Sequence, residues 1–470
     1  MTIAAPHPAL AAFKAELGQP DLPARLRAGL IGETARITGP RGRLPLLYAD
    51  YVASGRALRQ VEEFVMEHVL PYYANTHTET SFCGAYSTGL REAARAEIAR
   101  ILGAGPDCHV VFSGAGATAG LNRVVGLLNI PAVLAKGGRA VVLHGPYEHH
   151  SNILPWRESG AEVVEIAESP AGGPDMAALA AALQAHAGAD LLVGTFSAMS
   201  NVTGIVTDSD AVTRLLKAHG ALAIWDYAGG APYLPMQMQT APDAAKDAII
   251  FSAHKFPGGP QASGVLVFRN GVVRRDTPTL PGGGTVAFVS PETQLYSPDV
   301  VAREEAGTPN VVGDIRAGLV LLVKEALGQD WITARNARLG ALARRAWTGL
   351  PGLEILGNPS AAALPIFSFR IHDAQGAPVD HIAFTRSLSE NYGIQARGGC
   401  SCAGPYGHRL LHIDPNTSAH MAQEIRAGHA VDKPGWVRVN LSYLLTDAKA
   451  VQIIDGIAQA VAEVQTIRAA

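Results

Sequence analysis

The chain has 470 residues, 48% of them hydrophobic and 17% charged, with a formal net charge of −3. It is long enough for more than one core, and it lacks the basic excess that a nucleic-acid partner demands. No apolar run of about 18 residues reads as a membrane span. The Ala-rich start, MTIAAPHPALAAFKAELGQ, lacks the basic-then-apolar pattern of a secretory signal. Four cysteines, at 83, 108, 400 and 402, are too few for a disulfide scaffold and fit a reducing, cytoplasmic setting.

In chain order, HVVFSGAGATAGLNRVV (109–125) reads as a strand, a Gly-rich turn and a helix. RAVVLH (139–144) and AEVVEIA (161–167) are β-rich runs, and DMAALAAALQAHAG (175–188) is helical. ADLLVGTF (189–196) is a buried strand by its length and flanks. DAVTRLLKAHG (210–220) is a helix stopped at glycine. ALAIWD (221–226), DAIIFSA (247–253) and SGVLVFR (263–269) are strands again. Continuous apolar strands alternating with helices predict an α/β domain around a mostly parallel, doubly covered sheet. Residues 270–315 read as irregular. A long helical stretch is expected from about 316, followed by a smaller α+β domain containing IFSFRI (366–371) and WVRVNLSYL (436–444). Residues 405–435 read as a loop-rich insertion.

Sites in such sheets are built at strand ends, and three ends carry polar groups. ALAIWD ends in Asp226, and IIFSAHK ends in Ser252, His254 and Lys255. The turn with Gly114, Gly116, Ala117 and Thr118 would offer free N–H groups and a hydroxyl at a helix start, which suits a phosphate. Taken alone, those glycines make a plain turn and a strand-end Asp makes a helix cap or an ion pair. An amine, an acid and a phosphate cradle on one sheet instead suggest pyridoxal phosphate, which needs a lysine for its Schiff base and an acid to keep its ring nitrogen protonated.

Six segments in order carry a family resemblance. They are YADYVASGR (48–56), YEHHSNILPW (147–156), SNVTG (200–204), FSAHK (251–255), EAGTPN (305–310) and QARGGCSCAGP (395–405). Together they resemble the class V aminotransferases, fold-type I pyridoxal phosphate enzymes, and among them the cysteine desulfurase/selenocysteine lyase branch. The resemblance implies a seven-stranded large domain over 46–320. It also implies a C-terminal small domain over 321–470, to which the segment 1–45 contributes. Lys255 would bear the cofactor and Asp226 would face its ring nitrogen. His149 would stack on the ring, with Asn201 beside it. Ala117, Thr118, Ser252 and His254 would hold the phosphate. GGGT (282–285) resembles the segment whose Thr285 reaches the phosphate across a homodimer interface. Asn152 and Arg397 would hold the substrate, Arg397 through a bidentate carboxylate pair.

In the same resemblance Cys402 stands at the sulfur-accepting position, and Cys400 where a histidine is common. The C-x-C spacing is also open to a disulfide, half a metal site or no role, and the His149–His150 pair to a metal or core role; no metal is expected. The implied reaction releases sulfur from L-cysteine, or selenium from selenocysteine, as a persulfide on Cys402 with alanine as product, and a sulfur-acceptor protein is its natural partner. One departure stands out: the run DYAGG (226–230) has Gly229 where the family has a glutamine. That keeps C–S lysis, epimerisation or amino transfer without a catalytic cysteine as the alternative activity, and a scaffold that has only kept the fold as the remaining one.

Overall fold

The structure is a computed structural model and describes residues 7–40, 42–76, 79–399, 402–429, 431 and 433–466. Cys400 lies outside the described residues. The central sheet has seven strands in the order Cys108–Gly114, Gly264–Arg269, Ala248–Ser252, Leu222–Asp226, Leu191–Ser197, Ala140–His144 and Glu162–Glu165. Only Gly264–Arg269 runs against its neighbours, and the remaining pairings are parallel. The sheet is therefore the mostly parallel one expected. Its central strands are buried along their length because helices cover both faces. The edge strand Glu162–Glu165 is only partly buried and carries a glutamate at each end, which suits a strand with one free side.

Helix Gly116–Leu128 packs on one face of the sheet. At its first turn Gly120 leaves no room for a Cβ, which would stand 2.7 Å from Ile250. The apolar stretch 116–135 is two helices, broken where Asn129 takes a left-handed φ of 51°. The long helical stretch expected from about 316 consists of two helices, Val311–Leu327 and Gln329–Trp347, parted at Gly328, whose φ is 79°. The first is buried on nearly all sides, its charged residues Asp314, Arg316 and Lys324 included. It runs on past residue 320, the expected end of the large domain, to Leu327. The N-terminal helices Pro8–Leu17 and Leu22–Ala28 share its core, whereas the hairpin Arg36–Gly39/Gly42–Pro45 lies against the small-domain helix His381–Tyr392.

The small domain carries a four-stranded antiparallel sheet in the order Leu353–Ile355, Ile366–Ile371, Trp436–Asn440 and Arg397–Gly399. Helices Gln329–Trp347, His381–Tyr392 and Asp447–Thr466 supply its core. The 405–435 region is not loop-rich: it holds helices Gly404–Leu410 and Pro415–Arg426, the second capped by Asp414. Its Ser, Thr, Asn and Gly content suggested loop, but Asp-Pro-Asn-Thr is an N-terminal cap with proline at the first helical turn.

Candidate active site

The strands' carboxyl ends converge on a cavity of about 280 Å³. Every residue expected at the chain's own site lines it except Asn152, while Thr285, expected at a partner's site, lies elsewhere. Strand order accounts for this. Ser252, Asp226, Ser197 and Gly114 end neighbouring or near-neighbouring strands, so the residues that follow each one meet at one edge.

The turn expected to cradle an anion leads from Gly114 into helix Gly116–Leu128. No side chain caps that helix start. Ala117 N–H donates to Ser252 Oγ at 2.9 Å, which ties the turn to the next strand but one. Gly116 has a φ of 68°, and a Cβ there would stand 3.0 Å from both Ser252 Oγ and His254 Cε1. Glycine is required on both counts. Thr118 Oγ1 and Ser151 Oγ share a hydrogen bond of 2.7 Å, and Ser151 N–H donates to His149 Nδ1 at 3.1 Å. That bond places the proton of neutral His149 on Nε2. Burial, helped by the nearby Lys255 charge, pushes His149 down to about 4, and the same causes push His254 down to about 4. Both imidazoles are thus neutral near pH 7, and His149 presents a flat uncharged ring to the cavity.

Lys255 is partly exposed at the cavity wall, and desolvation there lowers its amine to about 8 despite the attraction of Asp226. Burial in turn raises Asp226, although it accepts from Ala228 N–H at 2.7 Å and faces the Lys255 charge. A carboxylate short of charge compensation at the wall of a cavity matches a protonated ring nitrogen. The donor set therefore fits pyridoxal phosphate: a free amine, a buried acid, a stacking ring and a glycine cradle at a helix start.

Asn152 does not reach the cavity. It is completely buried, donating to Glu148 Oε2 at 2.5 Å and accepting from Trp156 Nε1 and Thr195 Oγ1 at 3.1 and 2.6 Å. Glu148 also accepts from Ser197 N–H and Oγ–H at 2.8 and 2.6 Å, and burial raises it to about 7. These bonds pin the YEHHSNILPW segment to strand Leu191–Ser197, so Asn152 supports the segment that carries His149. Thr285 is likewise removed from the cavity. It is completely buried in its own chain with Oγ1 donating to the Gly282 carbonyl at 2.7 Å.

Sequence reasoning missed Arg438 and the role of Asp50. Arg438 comes from strand Trp436–Asn440 and is buried. Its Nη2 donates to Asp50 Oδ1 at 2.8 Å and its Nη1 to the Asn201 carbonyl at 3.1 Å, while its buried Nε has no partner among the described residues. Arg397 Nε donates to the other oxygen, Asp50 Oδ2, at 3.0 Å. Asp50 thus aligns two guanidinium groups on one wall, and the orphaned Nε marks a place for an anion. An arginine inside the apolar run WVRVNLSYL was the available signal, since a charge there is buried and needs a partner. Cys402 lines the same cavity, is exposed, and lies close enough to Arg438 for their charges to interact. Gly229 also lines it. A Cβ at Gly229 would meet Met199 Cε at 3.0 Å, so a thioether fills the place near the missing glutamine.

The sequence model of the family named Aminotransferase class-V matches residues 47–439. The chain therefore belongs to the class-V aminotransferase family and is a pyridoxal-phosphate-dependent enzyme. Among curated relatives it is 28% identical to a probable cysteine desulfurase of Streptomyces coelicolor over 368 residues, covering 77% of this chain and 84% of the relative. It is 30% identical to a cysteine desulfurase of Klebsiella pneumoniae over 377 residues, covering 77% and 85%. Its fold matches a cysteine desulfurase from Escherichia coli with a TM-score of 0.70 at 23% identity, covering 94% and 99% of the two chains. It also matches one from Thermococcus onnurineus with a TM-score of 0.71 at 21% identity, covering 89% and 95%.

Proposed function

We propose that this enzyme is a cysteine desulfurase that moves sulfur from L-cysteine, or selenium from selenocysteine, onto Cys402 and releases alanine. The observation that carries this reading is that Cys402 lines the same cavity as Lys255, Asp226, Arg397 and Arg438. Lys255 would hold the cofactor aldehyde, Asp226 its ring nitrogen, His149 its ring face, and the Gly116–Thr118 turn with Ser252 and His254 its phosphate. Bound there, pyridoxal phosphate withdraws electrons from the substrate's α-carbon.

The two guanidinium groups orient the substrate carboxylate. Lys255, lowered to about 8 by burial, has a neutral fraction near neutral pH and takes the α-proton at Nζ. The Cys402 thiolate attacks the substrate sulfur, forming an S–S bond as the C–S bond breaks. The C–S electron pair stays with the carbon, which is then protonated to alanine. Cys402 keeps the sulfane sulfur as a persulfide, and no outside oxidant or reductant enters.

A homodimer fits the exposed apolar side chains of Leu280, Phe288, Val289 and Leu295 on and beside the hairpin Val286–Val289/Gln294–Tyr296. We also propose a sulfur-acceptor protein and a cytoplasmic setting, because an exposed persulfide survives only where a partner takes it and oxidants are scarce. The Gly229–Met199 wall favours a second reading, in which the same site performs another pyridoxal phosphate reaction on an amino acid without Cys402.

The test is alanine and sulfide release from L-cysteine, with and without a reductant, by the wild type and Cys402→Ala. Loss of turnover in the variant is expected. Undiminished release would sink the persulfide mechanism and leave the second reading.

A further inference from the structure

Cys402 sits in an unusual turn. Its φ of 55° is left-handed, a conformation a non-glycine residue keeps only where its surroundings hold it. The holding groups belong to one residue. His150 N–H donates to the Cys402 carbonyl at 2.9 Å. His150 Nε2 accepts from Gly404 N–H, also at 2.9 Å. The two bonds grip the chain on both sides of Ala403, just after the thiol-bearing residue. Gly404 is itself shaped for this approach, since a Cβ there would stand 3.0 Å from His150 Nε2.

We infer that His150 is a positioning residue for Cys402, clamping the thiol-bearing turn to the segment that presents His149 to the cavity. The inference rests on the persulfide reading above. His150 directly follows His149, so one short 3-10 turn, His150–Asn152, sets both the ring that lines the cavity and the turn that delivers the thiol. That turn is in turn held from beneath by Asn152 and Glu148. To accept from Gly404 the imidazole must be neutral with its proton on Nδ1, and burial lowers His150 in the direction that keeps it so. The paired histidines therefore divide the work: His149 faces the cavity and His150 faces the cysteine turn.

The experiment uses the full-length, cofactor-loaded enzyme and the variants His150→Leu, His150→Gln and Gly404→Ala. Leucine removes the ring acceptor, glutamine returns an acceptor oxygen near Nε2, and alanine at 404 pries the same contact from the other side. In His150→Leu, kcat for alanine release from L-cysteine is expected to fall about 10- to 100-fold, the effect of a misplacement of roughly 1 Å. KM and the cofactor's absorption band should stay within about twofold, since ground-state binding is untouched. Alkylation of Cys402 by iodoacetamide, mapped by mass spectrometry, should accelerate as the turn is released. His150→Gln should recover most of kcat, and Gly404→Ala should lose kcat as His150→Leu does. Wild-type kcat in His150→Leu while Cys402→Ala is inactive would overturn the clamp. Full activity of Cys402→Ala would instead overturn the persulfide reading on which it rests. If His150→Leu fails to fold or load cofactor, Gly404→Ala decides: unchanged kcat and unchanged alkylation there overturn the inference.

Discussion

Arg438→Lys isolates what a guanidinium does in this cavity. The wild-type group meets Asp50 Oδ1 at 2.8 Å and the Asn201 carbonyl at 3.1 Å, and it lines the cavity beside Arg397. Lysine carries one compact charge and no planar fork. It can keep the Asp50 contact or reach the substrate carboxylate, but it cannot span both directions. One charge-assisted hydrogen bond in the substrate complex is then lost, worth about 1.5–3 kcal/mol. At about 1.36 kcal/mol per tenfold, kcat/KM for L-cysteine should fall about 10- to 150-fold. The carboxylate contact exists in ground and transition states alike, so KM should carry most of the change. Steady-state alanine release by cofactor-loaded enzyme measures this, with the cofactor absorption band as an internal control. A KM within about twofold of wild type, at full cofactor content, would refute the assignment of Arg438 to the substrate carboxylate.

Gly116→Ala should strain a left-handed position by about 1–2 kcal/mol. If the cradle moves to relieve the strain, affinity for pyridoxal 5′-phosphate falls about 5- to 30-fold. Titration of the apoenzyme reads this, and unaltered affinity would remove the turn from the phosphate site. Lys324 is buried in the core helix, with its amine donating to the Ala231 carbonyl at 2.7 Å and to the Leu234 carbonyl. Burial lowers it from 10.5 to about 7. Between those values the unfolded chain binds a proton that the folded chain does not, so stability rises with pH from about 7 to 10.5. In denaturant titrations of the holoenzyme, Lys324→Met should flatten that rise; an unchanged slope would show that Lys324 titrates normally. Glu305→Ala should leave Arg91 and Arg95 without the carboxylate that each meets at 2.6 and 2.7 Å. A loss of about 3–5 kcal/mol is expected, and an unfolding midpoint unchanged in urea would contradict it.

Much of the site was legible because its residues sit where strand periodicity stops. Asp226, Ser252, His254 and Lys255 each follow an apolar run, and a polar group there either caps a helix or faces a site. The glycines at 114 and 116 were legible for the same reason: a turn into a helix with no capping side chain exposes N–H groups. Arg438 was hidden because it lies within a strand rather than at its end. Asn152 and Thr285 stood in recognisable segments, yet a segment does not say which of its side chains faces inward. Asn152 is buried away from the cavity, and Thr285 is buried in its own chain. The helices at 404–410 and 415–426 were hidden by a composition that serves caps and loops equally well.

By itself the sequence determined the fold class and singled out the strand-end lysine and acid and the glycine turn. Each is a local matter, set by residue type against the period of its own element. Tertiary structure alone decided which side chains share a wall. Asp50 and Arg438 are separated by 388 positions, and His150 and Gly404 by 254. Their pairing arises because the small-domain strands and the cysteine turn pack over the large sheet's carboxyl edge. Burial there removes competing water, and the charges and hydrogen-bonding groups must find one another.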